Sequence, residues 1–125
     1  LVHYHFPMDK HFNPIVEADF HAGAGKMALL AIYAEQNGKF WEMNDLLFES
    51  GRLRDPLGMR ALAATLGFDF KKMALGIQES KVMKQLYLDI RSGLDHGINA
   101  TPSFVVNGQA YTGNLPPELL SMIVE

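Results

Sequence analysis

The strand-forming character of this sequence is confined to its two ends, and that separation limits the fold more than any other feature. Near the C-terminus, Ser103-Phe104-Val105-Val106 is aromatic and β-branched, and Asn107-Gly108 is the strongest short hairpin-turn signal because both residues tolerate positive φ. Gln109 to Thr112 is the return strand. At the other end, Leu1 to Phe6 alternates, with Val2, Tyr4 and Phe6 toward one face and Leu1, His3 and His5 toward the other, until Pro7 stops the run. A lone strand has no sequence neighbour to pair with. It must join the distant hairpin, in a three-stranded sheet that is small beside the helical mass between.

That mass has helical period throughout. Asn13 is a plausible N-cap with Pro14 at the first helical position, and Val16, Phe20, Ala24, Met27, Ala31 and Ala34 recur every three or four residues, predicting one helix that stops at Asn37-Gly38. Phe40, Trp41, Leu47 and Phe48 load a second helix ending near Ser50-Gly51. A third opens on Asp55-Pro56 and closes at Gly67. Between Asp69 and Gly97, Phe70, Met73 and Ile77 share a face with which Met83, Leu86, Tyr87, Ile90 and Leu94 are out of phase, so two helices separated near Ser80 explain the slip better than one. Leu115-Pro116-Pro117-Glu118 starts a last helix carrying Leu119, Leu120 and Ile123. Phe40, Trp41, Leu47, Phe48, Leu62, Leu66, Leu86 and Ile90 are expected in the core.

Composition excludes several function classes. At 125 residues, 48% hydrophobic and 20% charged, the chain is one ordinary globular domain. The net charge of -3, with no basic run longer than Lys71-Lys72, argues against a nucleic-acid or anionic-membrane surface. The apolar run Met27–Ala34 is too short to span a bilayer. There are no cysteines, so neither a disulfide framework nor a cysteine nucleophile can come from these residues.

Other constellations are weak. His3 and His5 lie two apart on one strand face, and His11, His21, Asp9 and Glu17 would have to fold back to complete a metal shell, so no metal site is assigned. No cofactor motif is present either: Gly23, Gly25 and Lys26 lack phosphate-loop spacing, and close helix packing explains the glycines. The informative stretch is Asn99 to Gly113. Pro102 stands directly before an apolar strand, where the missing N–H is tolerated at a strand start, and it forces Thr101 into an extended conformation.

The segment Ala100 to Gly113, ATPSFVVNGQAYTG, resembles the cis-proline loop and following hairpin of thioredoxin-fold proteins, in the form used by DsbA-like thiol-disulfide oxidoreductases. His3 to Pro14, HYHFPMDKHFNP, resembles the strand after that family's active-site helix, and Gln36 to Glu49, QNGKFWEMNDLLFE, resembles its helical insertion. The resemblance implies an α/β thioredoxin-like fold over residues 1–125 with a helical insertion at about 13–96, and a cis Thr101-Pro102 bond. Phe104, Val105 and Val106 would be core strand. Thr101 and Pro102 would bind substrate by pairing with an extended polypeptide. The Cys-x-x-Cys that carries the chemistry, and the strand leading into it, are expected before Leu1, so that the fold is incomplete at its N-terminus and inactive as it stands. Without that strand the two ends of the sheet lie about 10 Å apart, which favours a domain-swapped homo-oligomer.

Polypeptide thiols and disulfides are the implied partners, with no nucleic acid and no membrane insertion, in a periplasmic or other extracytoplasmic space, the cytoplasm being the alternative. Two other readings differ in what stands upstream. A glutathione-dependent isomerase of the 2-hydroxychromene-2-carboxylate isomerase type would carry Ser in place of the first Cys, and a non-catalytic binding module would carry neither.

Overall fold

The computed structural model describes residues 2–17 and 23–123; of Leu120, Met122 and Ile123 it describes the backbone. In chain order the elements are α1 (Ala24–Gln36), α2 (Phe40–Gly51), α3 (Met59–Leu66), α4 (Phe70–Gly76), α5 (Ser80–Asp95), β1 (Ser103–Val106), β2 (Gln109–Thr112) and α6 (Pro117–Ile123).

Local signals set most helix ends. α1 stops where Gly38, at φ 75°, lets Gly38 N–H donate to the Glu35 carbonyl and Lys39 N–H to the Ala34 carbonyl, the paired bonds of a glycine-terminated helix. The same pattern closes α3 at Gly67 and α5 at Gly97. α4 and α5 separate as the phase slip requires. Asp69 accepts a hydrogen bond from Lys72 N–H and caps α4, and Glu79 occupies the residue before α5.

α1 is the central helix. Ala28, Leu29, Leu30, Ala31, Ile32 and Ala34 are all buried, which leaves little of its circumference to solvent, and it packs against α2, α4 and α5. Around it gather Met43, Leu62, Met73, Val82, Leu86 and Ile90, with Phe6, Phe12 and Tyr33 packed on the cluster.

Several expectations are corrected. The first helix begins at Ala24, ten residues after Pro14. Asn13 is fully buried, its Oδ1 accepting from Ile15 N–H and its Nδ2 donating to the Pro7 carbonyl, so it pins a turn between two loop segments. Val16 is therefore not on α1, Phe20 lies outside the described residues, and Met27 is exposed. The third helix opens at Met59, after the loop through Asp55-Pro56.

The three-stranded sheet also does not form. Among the described residues the sheet is the antiparallel pair β1-β2, and Val2–Phe6 is no strand; Leu1 lies outside the described residues. The reason is the lack of a neighbouring backbone. Among the described residues, the main-chain groups of Val2 to Met8 that are hydrogen-bonded are His5 N–H and the Pro7 carbonyl, each to a side chain, and the segment is held by side-chain packing instead.

Finally, Trp41 and Phe48 are 61% and 68% exposed, although Leu62, Leu86 and Ile90 are buried, Leu47 and Leu66 pack half-buried on the helical core, and Phe40 is half-buried against His3, His5 and Trp41. Apolar residues spread over more than half of the circumference of α2, with Glu42, Asp45 and Glu49 on the rest, and the side carrying Met43 and Ser50 faces the neighbouring helices.

Candidate functional site

The loop between α5 and β1 is the first candidate. The chain leaves α5 through Gly97, buries Ile98, and presents Thr101 and Pro102 at the surface across a cis peptide bond, as expected. Both flanks of the dipeptide are pinned. Ser103 Oγ donates to the Ala100 carbonyl (2.7 Å) and lies 3.1 Å from Thr112 Oγ1, and Gly113 N–H donates to the Pro102 carbonyl (2.8 Å). The hairpin register pairs Ser103 with Thr112, Phe104 with Tyr111, Val105 with Ala110 and Val106 with Gln109, around a turn in which Asn107 (φ 51°) and Gly108 (φ 81°) are both left-handed.

Thr101 itself is not pinned. Among the described residues its main-chain N–H and carbonyl have no partner, and the residue is exposed. A loop held rigidly on both sides with one free backbone donor and acceptor can take an extended chain by main-chain pairing. Val105 is exposed and Phe104 and Val106 are half-buried, which corrects the expectation of a core strand. No hairpin residue belongs to the hydrophobic cluster of the helices.

The histidines form a second group. His5 is buried with its N–H donating to Asp89 Oδ2 (3.0 Å), and Asp89 Oδ1 accepts from Gln85 Nε2. The His5 ring meets His3 edge-on at 4.7 Å between centroids and Phe40 at 5.9 Å, while Trp41 leans on Phe40. Burial, with the neighbouring His3 adding to it and Asp89 opposing, lowers the His5 pKa to about 4. Its Nε2 is buried without a hydrogen-bond partner among the described residues. The His5 ring is thus held neutral where it meets His3 and Phe40.

His11 and Asp9 do different work. Burial pushes the Asp9 carboxyl up, but hydrogen bonds from the N–H groups of His11 and Gly25 and from the His11 ring outweigh it and hold the carboxyl below its usual range. Asp9 thereby serves as a remote cap for α1, whose own preceding residue, Gly23, has no side chain to offer. Sequence reasoning missed this role because sixteen residues separate the partners. Gly25 is a packing glycine, as expected: a Cβ there would collide with the Phe12 ring. Gly23, by contrast, precedes the helix at φ 88° in open space. No group of three or more His, Asp or Glu side chains among the described residues is placed to hold a metal, and His21 lies outside them.

Helices packed around α1, a terminal β-hairpin and an exposed proline loop before it together define a thioredoxin-like α/β domain. The family model described as Thioredoxin matches residues 12–125, and the chain belongs to that family. Among curated proteins it is 26% identical over 106 residues to the Na(+)/H(+) antiporter NhaA of Herminiimonas arsenicoxydans, covering 84% of this chain and 17% of that protein. It is 31% identical over 107 residues to the Na(+)/H(+) antiporter NhaA 1 of Salinispora arenicola, covering 85% of this chain and 16% of that protein. The chain therefore spans about a sixth of the length of these relatives. No solved structure matches it. No helix among the described residues is long and apolar enough to cross a membrane.

Proposed function

We propose that the chain is the polypeptide-binding part of a DsbA-like thiol-disulfide oxidoreductase domain. The observation that carries this reading is the free, exposed main chain of Thr101 between pinned neighbours, in a chain of the thioredoxin family. An extended substrate pairs there and presents its sulfur to a cysteine pair that the 125 residues do not contain and that the reading assigns to residues before Leu1. Exchange then proceeds by attack of a thiolate on a disulfide sulfur, displacing the other sulfur as thiolate. Such a role suits an oxidising, extracytoplasmic space. It also leaves room for a second copy of the chain to pair with main-chain groups of Val2–Phe6 other than the His5 N–H.

The relatives favour a second reading at the level of the whole protein. Because the matched piece is about a sixth of two Na(+)/H(+) antiporters, the domain would act as an appendage serving such a transporter. The identity of the two residues at the start of the upstream helix separates the chemistries: a cysteine pair for disulfide exchange, Ser for glutathione-dependent isomerisation, neither for a binding module.

The test uses the protein with its cysteine pair and a set of reduced or oxidised peptides, each methylated at one backbone nitrogen. Pairing at Thr101 predicts that methylation at one substrate position lowers kcat/KM by about tenfold or more, while methylation elsewhere does little. Uniform values along the peptide would overturn the assignment of Thr101. The cysteine-free chain gives background rates in an insulin reduction assay, and exchange above background would overturn the chemistry.

A further inference from the structure

The sequence contains two Asn-Gly pairs, Asn37-Gly38 and Asn107-Gly108, and the fold treats them in opposite ways. Both asparagines are exposed and both glycines have positive φ, at 75° and 81°. Sequence and accessibility therefore make them equivalent. Their hydrogen bonding does not.

Asn37 ends α1. Its Nδ2 donates to the Tyr33 carbonyl at 2.8 Å, its backbone N–H to the Ala34 carbonyl, and the next residue's N–H, that of Gly38, to the Glu35 carbonyl at 3.1 Å. Asn107 sits at the tip of the β1-β2 hairpin. Neither its side-chain amide nor the Gly108 N–H has a hydrogen-bond partner among the described residues. The ladder bonds of the hairpin end at the Val106-Gln109 pair, one residue to either side.

Asparagine followed by glycine is the sequence context in which the next backbone nitrogen most readily attacks the side-chain carbonyl, because glycine has no Cβ to obstruct the approach. We infer that Asn107 is a site of spontaneous deamidation and isoaspartate formation, and that Asn37 is protected from the same reaction by the end of α1. The inference is independent of the proposed function.

In the reaction, the Gly108 nitrogen gives its proton to base and forms a bond to Asn107 Cγ. The Cγ–Nδ2 bond breaks and ammonia leaves, closing a succinimide. Water then opens either carbonyl of the ring, giving aspartate or isoaspartate with no oxidation or reduction. At Asn37 the attacking nitrogen and the departing amide are each tied to a helix carbonyl, and both bonds must break before ring closure. The isoaspartyl product carries one extra main-chain carbon in a two-residue turn whose length fixes the register of both strands, and a new carboxylate at the tip. Such a product is also the substrate class of isoaspartyl-recognising methyltransferases, which makes those enzymes the partner this site fits.

The experiment ages the intact chain at mildly alkaline pH, natively and in concentrated urea, and follows both sites by peptide mapping with mass spectrometry. Isoaspartate is counted by methyl transfer from S-adenosylmethionine with a purified isoaspartyl methyltransferase. In the native protein Asn107 should convert about tenfold or more faster than Asn37, the effect of two hydrogen bonds on a rate. In urea the two rates should converge. Comparable native rates, faster loss at Asn37, or a ratio that persists in urea would overturn the inference.

Discussion

The helical block and the hairpin end of this molecule are stabilised in different ways. From Ala24 to Asp95, five helices enclose a cluster in which Ile32, Met43, Met73, Val82 and Leu86 are essentially solvent-free. From Ser103 to Thr112, no residue is fully buried, the hydrogen bonds run within the hairpin and its flanks, and the hydrophobic cluster has no member. The contrast separates two tasks. The helices supply rigidity through burial, whereas the hairpin supplies a shaped backbone edge and leaves Thr101 free to pair.

Substitutions that break the comparison begin in the helical block. Leu86→Ala removes a fully buried side chain at the centre of the cluster and should cost about 2–5 kcal/mol in urea unfolding. Val105→Ala in the hairpin, where the side chain is 44% exposed, should cost less than about 1 kcal/mol by the same measurement. Equal costs would mean that the hairpin is as deeply integrated as α5.

Protonation gives the next effect. Because His5 is held neutral in the fold, with a pKa of about 4 against 6.5 unfolded, the unfolded chain binds the proton first as pH falls. Its contribution is fully present above pH 6.5 and is lost on acidification to about pH 4, on the order of 3 kcal/mol, while His5→Leu should flatten the stability slope across that window. An unchanged slope in His5→Leu would show that the ring is solvated.

Gly93→Ala asks whether the N-terminal segment really docks on α5, since an added Cβ would lie 2.6 Å from Phe6 Cδ2. Helix propensity alone would favour Ala by about 1 kcal/mol, so a net loss of about 1 kcal/mol in denaturation is expected, and a gain would mean that Phe6 does not pack there. The smallest effects belong to Trp41→Ala and Phe48→Ala. Each should change stability by about 0.5 kcal/mol or less, because both side chains are mostly exposed on the outer side of α2.

Legibility followed the range of the interactions. The stop at Gly38, the bounds of α2, the break between α4 and α5, and the hairpin rest on contacts within a few residues, and the sequence signals for them held. The start of α1 did not, because Asn13 is consumed by Pro7 and Ile15, and Asp9 caps the helix from outside it. Nor could periodicity decide which side of α2 packs inward, since Phe40, Trp41, Met43, Leu46, Leu47 and Phe48 spread over more than half of its circumference. At the candidate site, Thr101 and Pro102 were legible from the proline and the strand after it. The free main chain of Thr101 was not, because the absence of a partner is a property of the fold.

Native-state hydrogen exchange tests the division between the two regions most directly. The α1 and α5 amides, such as those of Ile32 and Leu86, should exchange only through global unfolding, whereas the β1-β2 amides should open at a lower free energy and on a separate denaturant dependence. Hairpin amides that exchange at the global free energy, with the same dependence as the helices, would contradict it.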